Sequence, residues 1–221
     1  MQPFLVFGLT ASLGAMGELA GHERRGALLW PGRSAVIGLM GAALGIRREG
    51  DFSALEALEV TVGIYDSGAP LRDYHTIETV PSAAAKSPNS RPEALRTARG
   101  RTNTTITLRD YRAGSLFGVA VTGPGLEEIA TALNAPTFTL YLGRKSCPLA
   151  APPGARLVEA EGPEEALALM ILPPWRKEAR LASLIVEDPD GELVHDRAID
   201  RTLWHFAPRR VAAKPVAGGA A

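Results

Sequence analysis

Cysteine is almost missing from this sequence: Cys147 stands alone among 221 residues. That excludes an internal disulfide framework and any multi-cysteine zinc site, and it suits a reducing cytoplasm. Histidine is nearly as scarce. His22, His75, His195 and His205 include no HxH or HExxH pair, so no metal site is expected. Gly8, Gly14 and Gly17 lack both the dinucleotide-binding spacing and a P-loop lysine, so no cofactor is expected either. Cys147, placed between a basic turn and Pro148 with no identifiable base, reads as buried and inert. No Lys or Arg precedes Arg24, so the apolar Phe4–Leu9 run reads as a buried strand rather than a secretion signal. No charge-free apolar run of helix-compatible composition reaches the roughly 18–20 residues of a membrane span. The expectation is a soluble, cytoplasmic protein with no membrane partner.

Net charge is missing too, with 24 Lys+Arg against 24 Asp+Glu. The balance hides segregation. Residues 51–85 are acidic with Arg72 as their one base, and residues 151–200 are again acidic. Between them, residues 86–112 gather Lys86, Arg91, Arg96, Arg99, Arg101, Arg109 and Arg112 against only Glu93 and Asp110. Screening confines each charge to about 8–10 Å, so such a stretch can hold a polyanion on an otherwise neutral protein.

What is plentiful is ordinary globular material: 46% hydrophobic and 22% charged residues, with 23 Gly and 17 Pro disfavouring an all-helical bundle. Pro3–Leu9 reads as a strand, and Ala35–Ile46 as a helix with Ser34 as its N-cap. Gly38, Gly41 and Gly45 form a small-residue stripe on that helix, suited to packing against a sheet. Leu55–Asp66 reads as a strand ending in a Ser67-Gly68 turn. Residues 81–104 look like a long excursion out of the core. Thr104–Leu108 and Leu116–Val121 follow as strands, Gly125–Leu133 as a helix and Phe138–Leu142 as a strand. This is a βαββαβ order, which predicts an α+β, ferredoxin-like or RRM-type domain over residues 1–150. After Ala151-Pro152-Pro153-Gly154, a short helix is expected over Pro163–Met170. A hairpin is expected from Ala182–Glu187 and Gly191–Arg197 across Asp188-Pro189-Asp190-Gly191. Residues 151–221 thus read as a small β-rich appendage, with 212–221 as a frayed tail.

Two constellations could carry chemistry. In Arg72-Asp73-Tyr74-His75-Thr76, His75 and Tyr74 could serve as base and acid in metal-free RNA cleavage, or simply bind RNA. In Tyr141-Leu142-Gly143-Arg144-Lys145-Ser146, a turn offers backbone amides, the Arg144 and Lys145 cations, the Ser146 hydroxyl and the Tyr141 ring. Those are the groups that bind phosphates and bases. Arg24-Arg25 and Arg33-Ser34 repeat the pattern, the latter at a helix N-terminus.

Four blocks together resemble the Cas-five family of CRISPR effector subunits, in the form found in type I-E Cascade complexes. They are Arg33-Ser34-Ala35-Val36-Ile37-Gly38-Leu39 with Ala43-Leu44-Gly45-Ile46, Leu71–Thr76, Leu108-Arg109-Asp110-Tyr111, and Tyr141–Leu149. Ala15-Met16-Gly17 and Pro31-Gly32-Arg33-Ser34 depart from the family's usual Ser-Trp-Gly and Pro-Thr-Lys/Arg-Ser. The resemblance implies an RRM-like (RAMP) domain with a thumb at about residues 77–107. It implies a non-catalytic RNA-binding subunit that grips the 5′ handle of the crRNA and caps the backbone subunits beside the large PAM-reading subunit. Target DNA would be met only indirectly. The expected RNA contacts are Arg24, Arg25, Arg33, Ser34, His75, Arg96, Arg99, Arg101, Arg109, Tyr141, Arg144, Lys145 and Ser146. Some relatives cleave, which keeps an endoribonuclease using His75 or Tyr74 as the alternative.

Overall fold

The computed structural model describes residues 1–18, 23–203 and 205–216. His22 and residues 217–221 of the expected tail lie outside the described residues. Among the described residues, no helix is long and apolar enough to cross a membrane.

The chain runs β1 (Gln2–Gly14), β2 (Arg24–Arg25), α1 (Arg33–Ala43), α2 (Ser53–Glu56), β3 (Glu59–Asp66), β4 (Ala69–Thr79), α3 (Arg91–Ala98), β5 (Asn103–Thr122), α4 (Leu126–Asn134), β6 (Arg156–Ala160), α5 (Pro163–Ala168), a 3₁₀ turn (Pro174–Arg176), β7 (Ser183–Asp200) and β8 (His205–Pro215). One sheet holds all the strands in the order β6-β1-β5-β3-β7-β8, with β2 and β4 also paired to β5.

The apolar run in β1 follows from burial on both faces, since successive strand residues point to opposite sides. Leu5, Phe7, Leu9 and Ala11 face a core made with α1, α4, Leu55 and the Phe117, Val119 and Val121 side of β5. Phe4 and Val6 face a second, smaller core built with Val158, Leu167, Met170 and Leu184. There α5 comes very close. Gly8 and Gly63 both pair with Gly118, and a Cβ on Gly63 or Gly118 would lie 2.7 Å from a methyl of Leu167.

Several expected elements move. Phe138–Leu142 is not a strand: Phe138 N–H bonds Ala42 and Leu142 N–H bonds Cys147, so its backbone is satisfied within a loop. The strand that follows α4 is β6, antiparallel to β1 from Gln2↔Ala160 to Val6↔Arg156. The boundary expected near residue 150 therefore falls inside one hydrogen-bonded sheet. Asp188-Pro189-Asp190-Gly191 is a bulge rather than a hairpin turn, since Glu187 and Glu192 both align with Val211. The chain reverses instead after Asp200, and residues 212–215 of the expected tail are paired within β8.

Ser34 is not the cap of α1. The cap position is Gly32, which offers no side chain, and the Arg33 N–H donates to the Asp196 carboxylate at 2.7 Å. A carboxylate at a helix N-terminus meets free N–H groups and the positive end of the dipole. The Gly38-Gly41-Gly45 stripe faces Arg201, Phe52 and Thr137 rather than the sheet. Arg201 lies over the Phe52 ring at 4.2 Å and bonds Glu56 at 2.8 Å. The β7–β8 ribbon is thus fastened to α1 and α2 by charge.

Asp196 is 2% exposed and also takes both a 2.6 Å and a 2.8 Å bond from Arg209. Asp196→Ala leaves Arg209 buried without its bidentate partner and is expected to destabilise the fold by about 3–5 kcal/mol. Urea unfolding followed by circular dichroism measures this, and Asp196→Asn should cost clearly less.

Candidate nucleic-acid interface

Beyond Gly114, β5 leaves the double-sided core and pairs with β4 as an arm, in register from Ala69↔Ala113 to Thr79↔Asn103, with β1 staying on its other edge as far as Gly14↔Arg112. Residues opposite one another share a face. One face therefore carries Leu71, Asp73, His75 and Ile77 with Thr107, Arg109 and Tyr111. The other carries Arg72, Tyr74 and Thr76 with Ile106, Leu108 and Asp110. One face is open, with Tyr74 68% and Ile106 56% exposed, whereas on the other Tyr111 is buried against Ala15 and Cys147.

That alternation separates Tyr74 from His75. Neighbours on a strand point apart, so the two cannot work as an acid–base couple on one phosphate. His75 has instead the Asp73 carboxylate on its own face, 3.7 Å from Nδ1.

At the arm's root, β2 adds parallel to β5 with Arg24 beside Leu108 and Arg25 beside Arg109. Arg24 and Arg72 both bond Asp110, at 2.8 and 2.7 Å. The Arg72 guanidinium bonded to it holds the Asp110 carboxyl below the usual carboxylate range, with Arg24 adding to the effect. Asp110 spaces two cations on one face, and Arg25 and Arg109 crowd the other.

The 140–149 loop docks here. Tyr141 bridges Pro148, Leu142 N–H donates to Cys147 at 2.8 Å, and Cys147 N–H donates to Arg144 at 2.8 Å. Ala15 N–H in turn donates to Leu142. Cys147 is buried with Ala15 and Tyr111. Gly143 has φ +84, and any Cβ there would strike the Ala15 carbonyl. The chain turns where only glycine fits, and Arg144 is thrown over the Tyr111 ring at 4.7 Å. Lys145, Ser146 and Tyr141 stay exposed beside it.

Two guanidinium nitrogens here, Arg109 Nε and Arg144 Nη1, are buried without a hydrogen-bond partner among the described residues. A buried unpaired donor costs about 1–3 kcal/mol. Both arginines lie beside exposed cations, Arg109 paired with Arg25 and Arg144 followed by Lys145.

The structure thus draws together Arg24, Arg25, His75, Arg109, Tyr141, Arg144, Lys145 and Ser146 around the arm's root. Arg96, Arg99 and Arg101 lie at the far end of the arm, on and after α3. Arg96 and Arg99 are exposed, while Arg101 Nε bonds the Ala98 carbonyl. Arg33 turns inward. Its guanidinium donates to the Leu58 and Glu56 carbonyls at 3.0 and 2.7 Å and its side chain is 12% exposed, so it ties α1 to α2 instead of meeting phosphate. Ser34 lies within the first turn of α1, half-buried. Sequence reasoning passed over Tyr111 and Asp110 as site members, although both sit in the Leu108–Tyr111 block. Only the β4–β5 register reveals what they hold.

Gly143→Ala forces a residue with a Cβ into left-handed backbone, a cost of about 1–2 kcal/mol before the clash. The expected result is a displaced loop: Cys147, 1% exposed in the parent, gains reactivity toward a thiol reagent in native buffer.

Comparison with known proteins agrees with this architecture. The family model for CRISPR-associated protein (Cas_Cas5) matches residues 4–212. A curated relative, the CRISPR system Cascade subunit CasD of Escherichia coli (strain K12), is 32% identical over 186 residues, which is 76% of this chain and 76% of that protein. Among solved structures, a chain of a CRISPR RNA-guided surveillance complex superposes with TM-score 0.72 at 30% identity, covering 97% of this chain and 91% of that one. A second, described as a crystal structure of a Cas protein, gives TM-score 0.65 at 27% identity, covering 96% and 94%. With the family model spanning residues 4–212 and a relative 32% identical over 76% of its length, the chain belongs to the Cas5 family of CRISPR-associated proteins.

Proposed function

We propose that this protein is the non-catalytic subunit of a type I-E Cascade effector that grips the 5′ handle of the crRNA in antiviral defence. It caps the backbone subunits and adjoins the large PAM-reading subunit, and it meets target DNA only through the complex. The single observation that carries this reading is the cationic root of the arm. Arg144 stacks on Tyr111 beside Arg109, and each of the two arginines keeps a buried donor nitrogen without an internal acceptor. Handle phosphates pair with the exposed cations around them, Arg25 and Lys145, while Tyr141 and exposed Tyr74 offer faces to unstacked bases. Sequence selection of the target stays with guide pairing.

The element order and the sheet order β6-β1-β5-β3 support a ferredoxin-like (RAMP) core, with β6 as its fourth strand. The arm with its α3 tip acts as the thumb, about residues 77–107. It is not a featureless excursion: Ser90 Oγ accepts from Glu93 N–H, and the Glu93 carboxylate accepts from Asn89 N–H. That reciprocal cap starts a helix the length of α3. Arg96 and Arg99 then reach phosphates farther along the guide than the root does.

Neutralising Arg144 and Lys145 together is expected to weaken guide-RNA retention and lower the magnitude of the salt slope by about 0.7 per lost contact. An unchanged slope in a folded variant removes the reading. Labelled repeat RNA incubated with the chain, with and without EDTA, is expected to stay intact. Specific cleavage abolished by His75→Ala would make the protein an endoribonuclease instead.

A further inference from the structure

The long ribbon formed by β3–β4 against β5 is interrupted at one level. Pairing runs Ile64↔Phe117 and Asp66↔Leu116, then resumes at Ala69↔Ala113. Across the gap, Gly68 and Gly114 both have left-handed backbone, with φ +74 and +70. A Cβ on Gly68 would stand 2.5 Å from the Ala113 carbonyl. The break is confined to one edge of β5: on the other, β1 stays paired past the same level, from Ala11↔Ser115 to Gly14↔Arg112. On the β3–β4 edge, glycine on each strand leaves the ladder easy to bend unless something spans it.

Two arginines span it. Arg112, from the arm side, donates to the Ser67 carbonyl at 2.8 Å, to Ser67 Oγ at 3.1 Å and to the Gly68 carbonyl. Arg176, from the 3₁₀ turn far along the chain, donates to the Gly114 carbonyl at 3.2 Å and to Asp66 Oδ2 at 2.5 Å. The other oxygen of Asp66 accepts the Gly68 N–H at 2.7 Å. One guanidinium thus holds both strands of the ribbon at the break, and its fork geometry is what allows it.

We infer that Arg176 is a positioning residue: together with the β1 pairing on the far edge of β5 it fixes the angle between the arm and the sheet, with Arg112 as the inner half of the same clamp. The C-terminal third thereby takes part in setting where the arm points. The clamp itself follows from geometry, and only its consequence for RNA rests on the function proposed above.

Spin labels on Thr97→Cys in α3 and Glu164→Cys in α5, both exposed, report the arm-to-core distance in the full chain, since Cys147 is buried. Arg176→Ala is expected to broaden that distance distribution while the far-ultraviolet spectrum stays native. Asp66→Asn should broaden it likewise, and Arg176→Lys should give an intermediate width. An unchanged distribution in folded Arg176→Ala overturns the clamp. If the productive angle drops to about a tenth of the population, guide-RNA retention falls about tenfold. Its salt slope should not change, because no phosphate contact is lost. A slope lowered by about 0.7 would instead make Arg176 a direct contact and overturn its positioning role. Failure of the RNA reading shows separately, as unaffected retention when Arg144 and Lys145 are neutralised.

Discussion

Everything in this protein is hung from one strand with two environments. The C-terminal half of β5 lies between β1 and β3 with Leu116–Val121 buried, while its N-terminal half is largely uncovered apart from Thr107 and Tyr111. The buried half fixes register, because slipping by one residue would turn Phe117, Val119 and Val121 away from their core. Pairing with β1 carries that register outward without a shift, from Leu5↔Val121 to Gly14↔Arg112. The placing of Arg109 and Tyr111 on one face of the arm, and of Leu108 and Asp110 on the other, follows from hydrophobic packing that begins at Leu116, about 17–26 Å away at about 3.3 Å per residue. Burial at one end thus aims charges at the other.

Legibility in the sequence follows burial closely. Strands that lie in the core, such as β1 and the end of β5, announce themselves by apolar content, and so do α1 and α4. β4 does not. With both faces solvated, Ala69–Thr79 has no reason to alternate, and its strand character comes wholly from pairing with β5. The opposite error arises at Phe138–Leu142, which alternates convincingly. Its residues alternate because Leu140 and Leu142 anchor a loop in the core while Phe138 and Tyr141 remain exposed. Asp188-Pro189-Asp190-Gly191 has a composition suited to turns, and a bulge with four unpaired residues needs the same backbone freedom.

The site was legible as residue types but not as a place. Arg24-Arg25, Arg109 and the Arg144-Lys145 turn stand out as cations in polar surroundings, yet nothing local says they meet. The meeting depends on β2 adding to β5 and on Gly143 letting the loop close over Ala15. Arg33 shows the reverse. Its position at a helix entry suggests an anion site, but Asp196, 163 residues away, already occupies that N-terminus. A long-range carboxylate cannot be seen from the local sequence, and it removes the reason for a ligand.

Arginine therefore plays two opposed parts here, distinguished by where its donors end. Arg33, Arg112, Arg176, Arg201 and Arg209 spend their hydrogen bonds on carbonyls and carboxylates of distant segments. A planar guanidinium suits such ties because several donors act at fixed angles. Arg109 and Arg144 lie among the same elements but keep buried nitrogens without acceptors. The difference is not one of charge or exposure, since all these side chains are at least partly covered. It is that the fold satisfies the first group internally and leaves one donor of each of the second without an acceptor among the described residues. The rigid ties hold the cations at the arm's root in a fixed array, so the guide-RNA contacts proposed above would cost the protein little ordering entropy.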